Sequence, residues 1–274
     1  MDKLYLSDIY IYPIKSLGGI RLEKSLIEEK GLQYDRRWML VDHRGTFITQ
    51  RKYAGLSMLQ VGIENKELFV QHKANNELRI SFPIEQNTNE KIAVSIWDNS
   101  AHGVEVSKAV SQWFSDYLQF EVKLVKLPEE ERIPVDPRYA TKGEIVSFSD
   151  GYPCLIIGQS SMDFLNEKLD QPVKMNRFRP NFVFAGGTPH FEDQIKTFSL
   201  GEIMFSAVKP CARCVLITVD QESGIKSQEP LKTLATYRTL NNKIMFGQNL
   251  VHQGTGYIRV GDELKVETYQ QPVH

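Results

Sequence analysis

Met58-Leu59-Gln60-Val61-Gly62-Ile63-Glu64, then Asn65-Lys66, then Glu67-Leu68-Phe69-Val70-Gln71 sets the reading of the whole chain. Leu59, Val61 and Ile63 fall at every second position, the turn-prone Asn65-Lys66 intervenes, and Leu68 and Val70 resume the same period. A period of two marks a strand that buries one face and wets the other, and the pattern spreads in both directions. Towards the N-terminus it covers 4–12, 37–42 and 46–50, with His43-Arg44-Gly45 as a turn between the last two. Towards the C-terminus it covers 78–82, 92–97, 122–127, 144–148, 182–185, 203–208, 215–219 and 244–246, with a closing pair around 256–264. The predicted class is mainly β with some α.

Helices enter where the period changes. Val110, Trp113, Phe114, Tyr117 and Leu118 stand at i, i+3, i+4, i+7 and i+8, with Ser107 placed to cap, which predicts an amphipathic helix over 108–120. Further helices are predicted over 161–169 and over 230–238, the latter opening on Pro230, whose missing N–H is no loss in a first turn. Between them and the first helix, Pro128-Glu129-Glu130-Glu131-Arg132-Ile133-Pro134-Val135-Asp136-Pro137 discourages both helix and sheet. The predicted domain boundary lies there, dividing the chain into 1–127 and 128–274.

At 274 residues, with 41% hydrophobic and 24% charged residues, the chain is long enough for two domains with a substantial core. Thirty-three Lys and Arg against 34 Asp and Glu give a net charge of −1. That balance argues against a protein that coats nucleic acid or an anionic membrane by bulk charge, so any anion site must be local. Charges interrupt the first apolar residues too often for a signal peptide or a membrane span. Three cysteines do not build a disulfide framework and fit a reducing compartment. The expected location is cytoplasmic, with neither nucleic acid nor membrane as a partner.

The sequence has no nucleophile elbow, Walker loop, Gly-x-Gly-x-x-Gly turn after a strand or His-Glu-x-x-His helix, so common hydrolase, nucleotide and zincin readings lose support. Its six histidines stand singly, as solvated or structural ones do. The informative stretch is Lys209-Pro210-Cys211-Ala212-Arg213-Cys214-Val215-Leu216-Ile217-Thr218-Val219-Asp220. A four-thiolate zinc site would need two more cysteines, and the one other, Cys154, sits in the apolar run Pro153-Cys154-Leu155-Ile156-Ile157. A thioredoxin-type pair opens a helix, whereas here the second cysteine opens a β-rich run. Two readings stay open: a soft thiolate at the mouth of a sheet, favoured by the flanking Lys209 and Arg213, or two buried cysteines packing as small hydrophobes.

Cations set in apolar, turn-like contexts form the other cluster: Tyr12-Pro13-Ile14-Lys15-Ser16, Tyr34-Asp35-Arg36-Arg37-Trp38, Thr49-Gln50-Arg51 and Asn176-Arg177-Phe178-Arg179-Pro180-Asn181. Guanidinium forks beside Ser and Asn donors suit a bound phosphate. Singly, each arginine reads better as a surface or ion-paired residue; Arg177 and Arg179, straddling an aromatic just before a strand, are the ones that fit this reading least.

Taken in order, these four segments together with Pro210-Cys211-Ala212-Arg213-Cys214, Thr218-Val219-Asp220, Phe246-Gly247-Gln248 and Ile258-Arg259-Val260-Gly261-Asp262 resemble the MOSC proteins, named for the C-terminal domain of molybdenum cofactor sulfurase. The chain is most similar to their amidoxime-reducing branch, in which an N-terminal MOSC β-barrel domain precedes the MOSC domain. The resemblance implies two β-barrel-like domains with flanking helices and the molybdenum cofactor, Mo-molybdopterin, in a groove between them. It implies that Cys214 ligates molybdenum as the catalytic residue. Lys15, Ser16 and Arg36 would hold the pterin phosphate, and Arg179 and Asn181 other polar edges, with Arg51, Arg177, Arg213 and Cys211 also at the cofactor. Asp150-Gly151-Tyr152 matches a cofactor-lining loop loosely.

The implied activity is reduction of N-hydroxylated compounds such as amidoximes, hydroxamic acids and hydroxylamines. Three cysteines cannot supply the four ligands of an iron–sulfur cluster, so electrons are expected from a separate flavin- or iron–sulfur-dependent protein. Neither the membrane anchor of eukaryotic relatives nor the pyridoxal-phosphate domain of full sulfurases is expected in this chain. The alternatives are sulfur transfer through a Cys214 persulfide and non-enzymatic carriage of the molybdenum cofactor.

Overall fold

A computed structural model describes residues 3–97, 99–140 and 142–272. The N-terminal half opens with five strands, β1 (Tyr5–Ile11), β2 (Ile20–Leu22), β3 (Lys24–Glu28), β4 (Gly31–Leu32) and β5 (Trp38–Val41). The antiparallel trio β6 (Leu59–Glu64), β7 (Glu67–His72) and β8 (Asn75–Pro83) buries Leu59, Val61, Leu68 and Val70, the alternating positions. Next come β9 (Lys91–Ile96), β10 (Asn99–Glu105), α1 (Lys108–Leu118) and β11 (Lys123–Lys126), with β11 paired between β10 and β5. The Ser107 hydroxyl accepts the Val110 N–H at 3.2 Å to start α1, which buries Val110 and Phe114 against the core beneath.

The C-terminal half continues with β12 (Ile133–Pro134), β13 (Ile145–Val146), β14 (Cys154–Gly158), α2 (Gln159–Asn166), β15 (Phe182–Ala185), β16 (Ile195–Leu200) and β17 (Ile203–Arg213). It closes with α3 (Leu231–Ala235), β18 (Thr239–Leu240), β19 (Lys243–Gln253), β20 (Gly256–Arg259) and β21 (Leu264–Tyr269). The main sheet runs β2-β1-β15-β14-β19-β17-β16-β21, with β18 added to β19. Thus two N-terminal strands belong to a sheet otherwise built from the second half, and β20 in return pairs with β3. Leu6, Ile9 and Ile11 of β1 share a fully buried cluster with Phe182, Phe184, Phe198 and Phe205. Among the described strands only β14 and β15 pair in parallel, joined through α2, as a parallel pair needs a crossover. The chain is mainly β, and a half-barrel curl is evident in its sheets.

Several expectations need correction. Residues 46–50 make single bridges from Thr46 and Phe47 instead of a strand. Residues 215–218 form a 3-10 helix (Val215–Thr218), in which the Thr218 hydroxyl donates to the Val215 carbonyl at 2.7 Å, so a β-branched run turns instead of extending. The helices predicted over 161–169 and 230–238 are the shorter α2 and α3. β14 escaped the pattern because all five of its residues are buried, so no alternation marks it. Among the described residues no helix is long and apolar enough to cross a membrane.

Candidate functional site

β17 delivers the cysteines. It pairs with β19, but the register shifts between Ala207 and Lys209 and again between Pro210 and Ala212. Such bulges re-aim side chains beside functional sites, and the second of them falls at Cys211 itself. Cys214 follows the end of β17 and precedes the 3-10 helix, in extended backbone. Gly247, opposite on β19, has φ +80°, and a Cβ there would lie 2.8 Å from the Ile156 carbonyl. Only glycine lets β19 approach β14 so closely behind the cysteines.

Both cysteines open onto a cleft of about 280 Å3. Its lining includes Lys15, Ser16, Arg36, Arg51, Arg179, Asn181, Cys211, Arg213 and Cys214, so nine of the ten residues singled out from sequence share one wall system. Arg177 lies outside it: its Nη2 donates to the Asp220 carboxylate at 2.7 Å, tying down the loop after the 3-10 helix. The Asn181 amide is also engaged, accepting from Leu155 N at 3.2 Å and donating to the Tyr10 carbonyl at 3.1 Å, which clamps β15 between β1 and β14. Thr49, Ser149, Asp150, Tyr152, Lys209 and Asn249 complete the polar lining. Of these, Ser149 and Asn249 gave no signal in sequence, because they converge from strands and loops far apart in the chain.

Each sequence motif resolves into a positioning device. In Tyr34-Asp35-Arg36, the buried Asp35 carboxylate accepts the Tyr12 N–H at 2.8 Å and the Arg36 guanidinium at 2.5 Å. Two guanidinium groups stand over the Tyr12 ring, Arg36 at 4.4 Å and Arg179 at 4.1 Å from its centre. Arg36 also donates to the Arg179 carbonyl, and Arg179 to the Leu17 carbonyl at 2.6 Å. In Thr49-Gln50-Arg51, the fully buried Gln50 donates to the Ser16 carbonyl at 2.7 Å and so fixes its neighbour. Arg51 Nε then donates to Cys214 Sγ at 3.2 Å, and its Nη2 to Asp150 at 2.9 Å. Lys15 is buried with its ammonium on Asp150 and on the Phe148 carbonyl.

The electrostatics are those of an anion site. Six cations (Lys15, Arg36, Arg51, Arg179, Lys209, Arg213) face the cleft with one carboxylate, Asp150. Burial pulls Lys15 below its ordinary value against the opposing pull of Asp150. Burial, with the Arg36 charge adding, pushes Arg179 down to about 10 even though Tyr12 acts the other way. Burial alone would raise Asp150, but Lys15 and Arg51 hold it well below the usual carboxylate range. Burial also pushes the Cys211 thiol up. Arg213 donates to the Phe246 and Phe178 carbonyls, while its buried Nη2 has no partner among the described residues. A buried guanidinium N–H without an acceptor is costly, and a bound anion or polar ring edge would satisfy it. Ser16, Arg36 and Arg179 also hold left-handed backbone, with φ of 69°, 51° and 54°. Non-glycine residues rarely accept that region, and strain of this kind collects at functional sites.

Residues 3–121 match the MOSC N-terminal beta barrel domain and residues 143–265 the MOSC domain. The chain is 30% identical to mitochondrial amidoxime-reducing component 1 of Mus musculus over 94% of its own length and 80% of that protein's. It is 31% identical to mitochondrial amidoxime reducing component 2 of Rattus norvegicus, over 94% and 81%. It is also 30% identical to molybdenum cofactor sulfurase of Oryza sativa subsp. japonica, covering 90% of this chain but 32% of that much longer protein. With both domains matched in order and relatives of this identity spanning nearly the whole chain, the protein belongs to the MOSC family.

Proposed function

We propose that this protein binds the molybdenum cofactor and reduces N-hydroxylated compounds such as amidoximes, hydroxamic acids and hydroxylamines. Its electrons would come from a separate flavin- or iron–sulfur-dependent protein, in the cytoplasm. One observation carries the reading: the Cys214 sulfur stands in a cleft of six cations, held by the Arg51 guanidinium at 3.2 Å.

The residues fit such a group. Among the described residues no three His, Cys, Asp or Glu side chains cluster to hold a metal, so a metal here must bring most of its own ligands on an organic chelator. The unpartnered Arg213 Nη2 and the crowded cations call for an anionic or polar-edged molecule. When bound, the cofactor supplies two-electron removal of oxygen from nitrogen. The chain's own work is binding and orientation. Cys214 offers a soft sulfur donor, Lys15, Ser16 and Arg36 would hold the phosphate, and Arg179 and Arg213 would meet polar edges with planar forks. Cys211, whose thiol burial pushes up, would pack beside Cys214 and tune the site by contact. Asp150 keeps Lys15 and Arg51 aimed into the cleft.

The sulfurase relative supports a second reading, in which Cys214 carries a persulfide. A sulfur bound to metal cannot also attack a persulfide donor, so the two roles are nearly exclusive at one thiol. The test supplies cofactor-loaded protein with an artificial electron donor and benzamidoxime, and metal-free protein with a cysteine desulfurase and cysteine. Amidine is expected in the first experiment and no stable persulfide in the second. Cys214→Ser should abolish reduction, and Cys211→Ser should lower it by about tenfold or less. Full activity in Cys214→Ser would overturn the ligand assignment, and a Cys214 persulfide without any reduction would establish sulfur transfer.

A further inference from the structure

A second cavity, of about 570 Å3, adjoins the cleft and shares Thr49 and Arg51 with it. Four aromatic residues, Phe47, Tyr53, Trp97 and Phe120, line it together with Ile48 and a polar rim that includes Asp42, His43, Lys52 and Glu121. Tyr53 and Phe120 pack with ring centres 4.9 Å apart, leaving Trp97 and Phe47 on the side towards the cleft.

Trp97 marks the boundary between the two cavities. Its indole N–H donates to Asp150 at 3.1 Å, its ring lies 4.5 Å from the Arg51 guanidinium, and Phe47 meets it edge-on at 5.1 Å. Although anchored on three sides, it is 54% exposed, and it holds left-handed backbone at φ 54°. Both features work against stability, since bare apolar surface and a strained non-glycine backbone each cost free energy. The buried cores do not include this side chain. Its position is nevertheless specific. Arg51 presents Nε to Cys214 Sγ and stands over the indole ring, so one guanidinium bridges the aromatic wall and the sulfur.

We propose that the second cavity takes the flat aromatic body of an N-hydroxylated substrate, stacked on Trp97, and that Trp97 thereby selects aryl over alkyl substrates. The inference rests on the reductase reading for the identity of the reacting group. The ring lies among Trp97, Phe47, Tyr53 and Phe120, and the N–O group reaches past Arg51 towards Cys214. Stacking on an indole favours a planar aryl group over a small alkyl one by both area and ring electrostatics.

The test is direct binding of benzamidoxime and acetamidoxime to the full chain, to Trp97→Ala and to Trp97→Phe, followed through the 15N-labelled indole signals and by calorimetry. Benzamidoxime should shift the Trp97 indole N–H signal and lose about 5- to 10-fold in affinity in Trp97→Ala, with most of it regained in Trp97→Phe. Acetamidoxime should bind all three equally weakly. Benzamidoxime binding to Trp97→Ala as tightly as to the unaltered protein, or to the unaltered protein no better than acetamidoxime, would overturn the proposal. Cofactor-loaded protein that binds benzamidoxime through Trp97 yet reduces neither compound would uphold the aromatic site and overturn the reductase reading.

Discussion

Ser16, Arg36 and Arg179 place their side chains in the cleft at the expense of backbone comfort, each at a positive φ. Glycine removes that strain but brings no hydroxyl. Ser16→Gly is therefore expected to stabilise the metal-free protein by about 0.5–1 kcal/mol, read as a raised Tm, while lowering cofactor content after loading. Unchanged cofactor content would remove Ser16 from the cradle. The cations themselves were legible in sequence, because a charged fork in an apolar, turn-like context is conspicuous. Their supports were not. Nothing local in Thr49-Gln50-Arg51 says that Gln50 is wholly buried and bonded to Ser16, 34 positions away. Arg177 shows the converse: beside Arg179 in sequence, it is claimed by Asp220 and turned away from the cleft.

At the scale of elements, alternation located the strands with one wet face and missed those without. β6 and β7 were plain, whereas β14 is buried on both faces and β17 runs on past its predicted end through two bulges. Long-range contacts outside any motif also join elements. Ser161 of α2 donates to Glu192 at 2.7 Å and accepts the His190 N–H at 2.8 Å, pinning α2 to the 3-10 turn at Phe191–Asp193. Burial, with Asp193 adding, pushes Glu192 up to about 7. A carboxyl raised above its unfolded value contributes stability in full below about 4.5 and loses it as pH rises through about 7. Burial likewise pushes His190 down to about 4, which makes stability fall as pH drops from about 6.5 towards 4, but it does so with or without Glu192. Glu192→Gln keeps a partner for Ser161 and removes the Glu192 titration. Denaturant titrations should therefore show the variant gaining stability relative to the unaltered protein as pH rises from 5 to 8, by on the order of 2–3 kcal/mol, because the His190 rise is then no longer offset. Parallel profiles would place the Glu192 titration outside that range.

Across the whole molecule, the two halves interlock. β1 and β2 complete the main sheet, β20 crosses back to β3, and a single apolar cluster draws on both halves. The cleft is lined in the same way, with Lys15, Arg36 and Arg51 from the first half facing Asp150, Arg179 and Cys214 from the second. Residues 128–274 expressed alone should therefore lack fixed tertiary structure, seen as absent near-UV circular dichroism and poor amide dispersion; a well-dispersed spectrum would show that the second half folds without β1. This interlocking was invisible in sequence, since the alternation that locates a strand does not say which strand it will pair with. What the molecule assembles from both halves is a cationic cleft around one sulfur, and the proposed function requires that this sulfur bind molybdenum. Molybdenum K-edge X-ray absorption on protein from a cofactor-competent host, compared between the unaltered chain and Cys214→Ser, tests it most directly. About one molybdenum per chain is expected, with one sulfur neighbour lost in Cys214→Ser; an unaltered sulfur shell in the variant, or no molybdenum in the unaltered protein, would show that Cys214 is not a ligand.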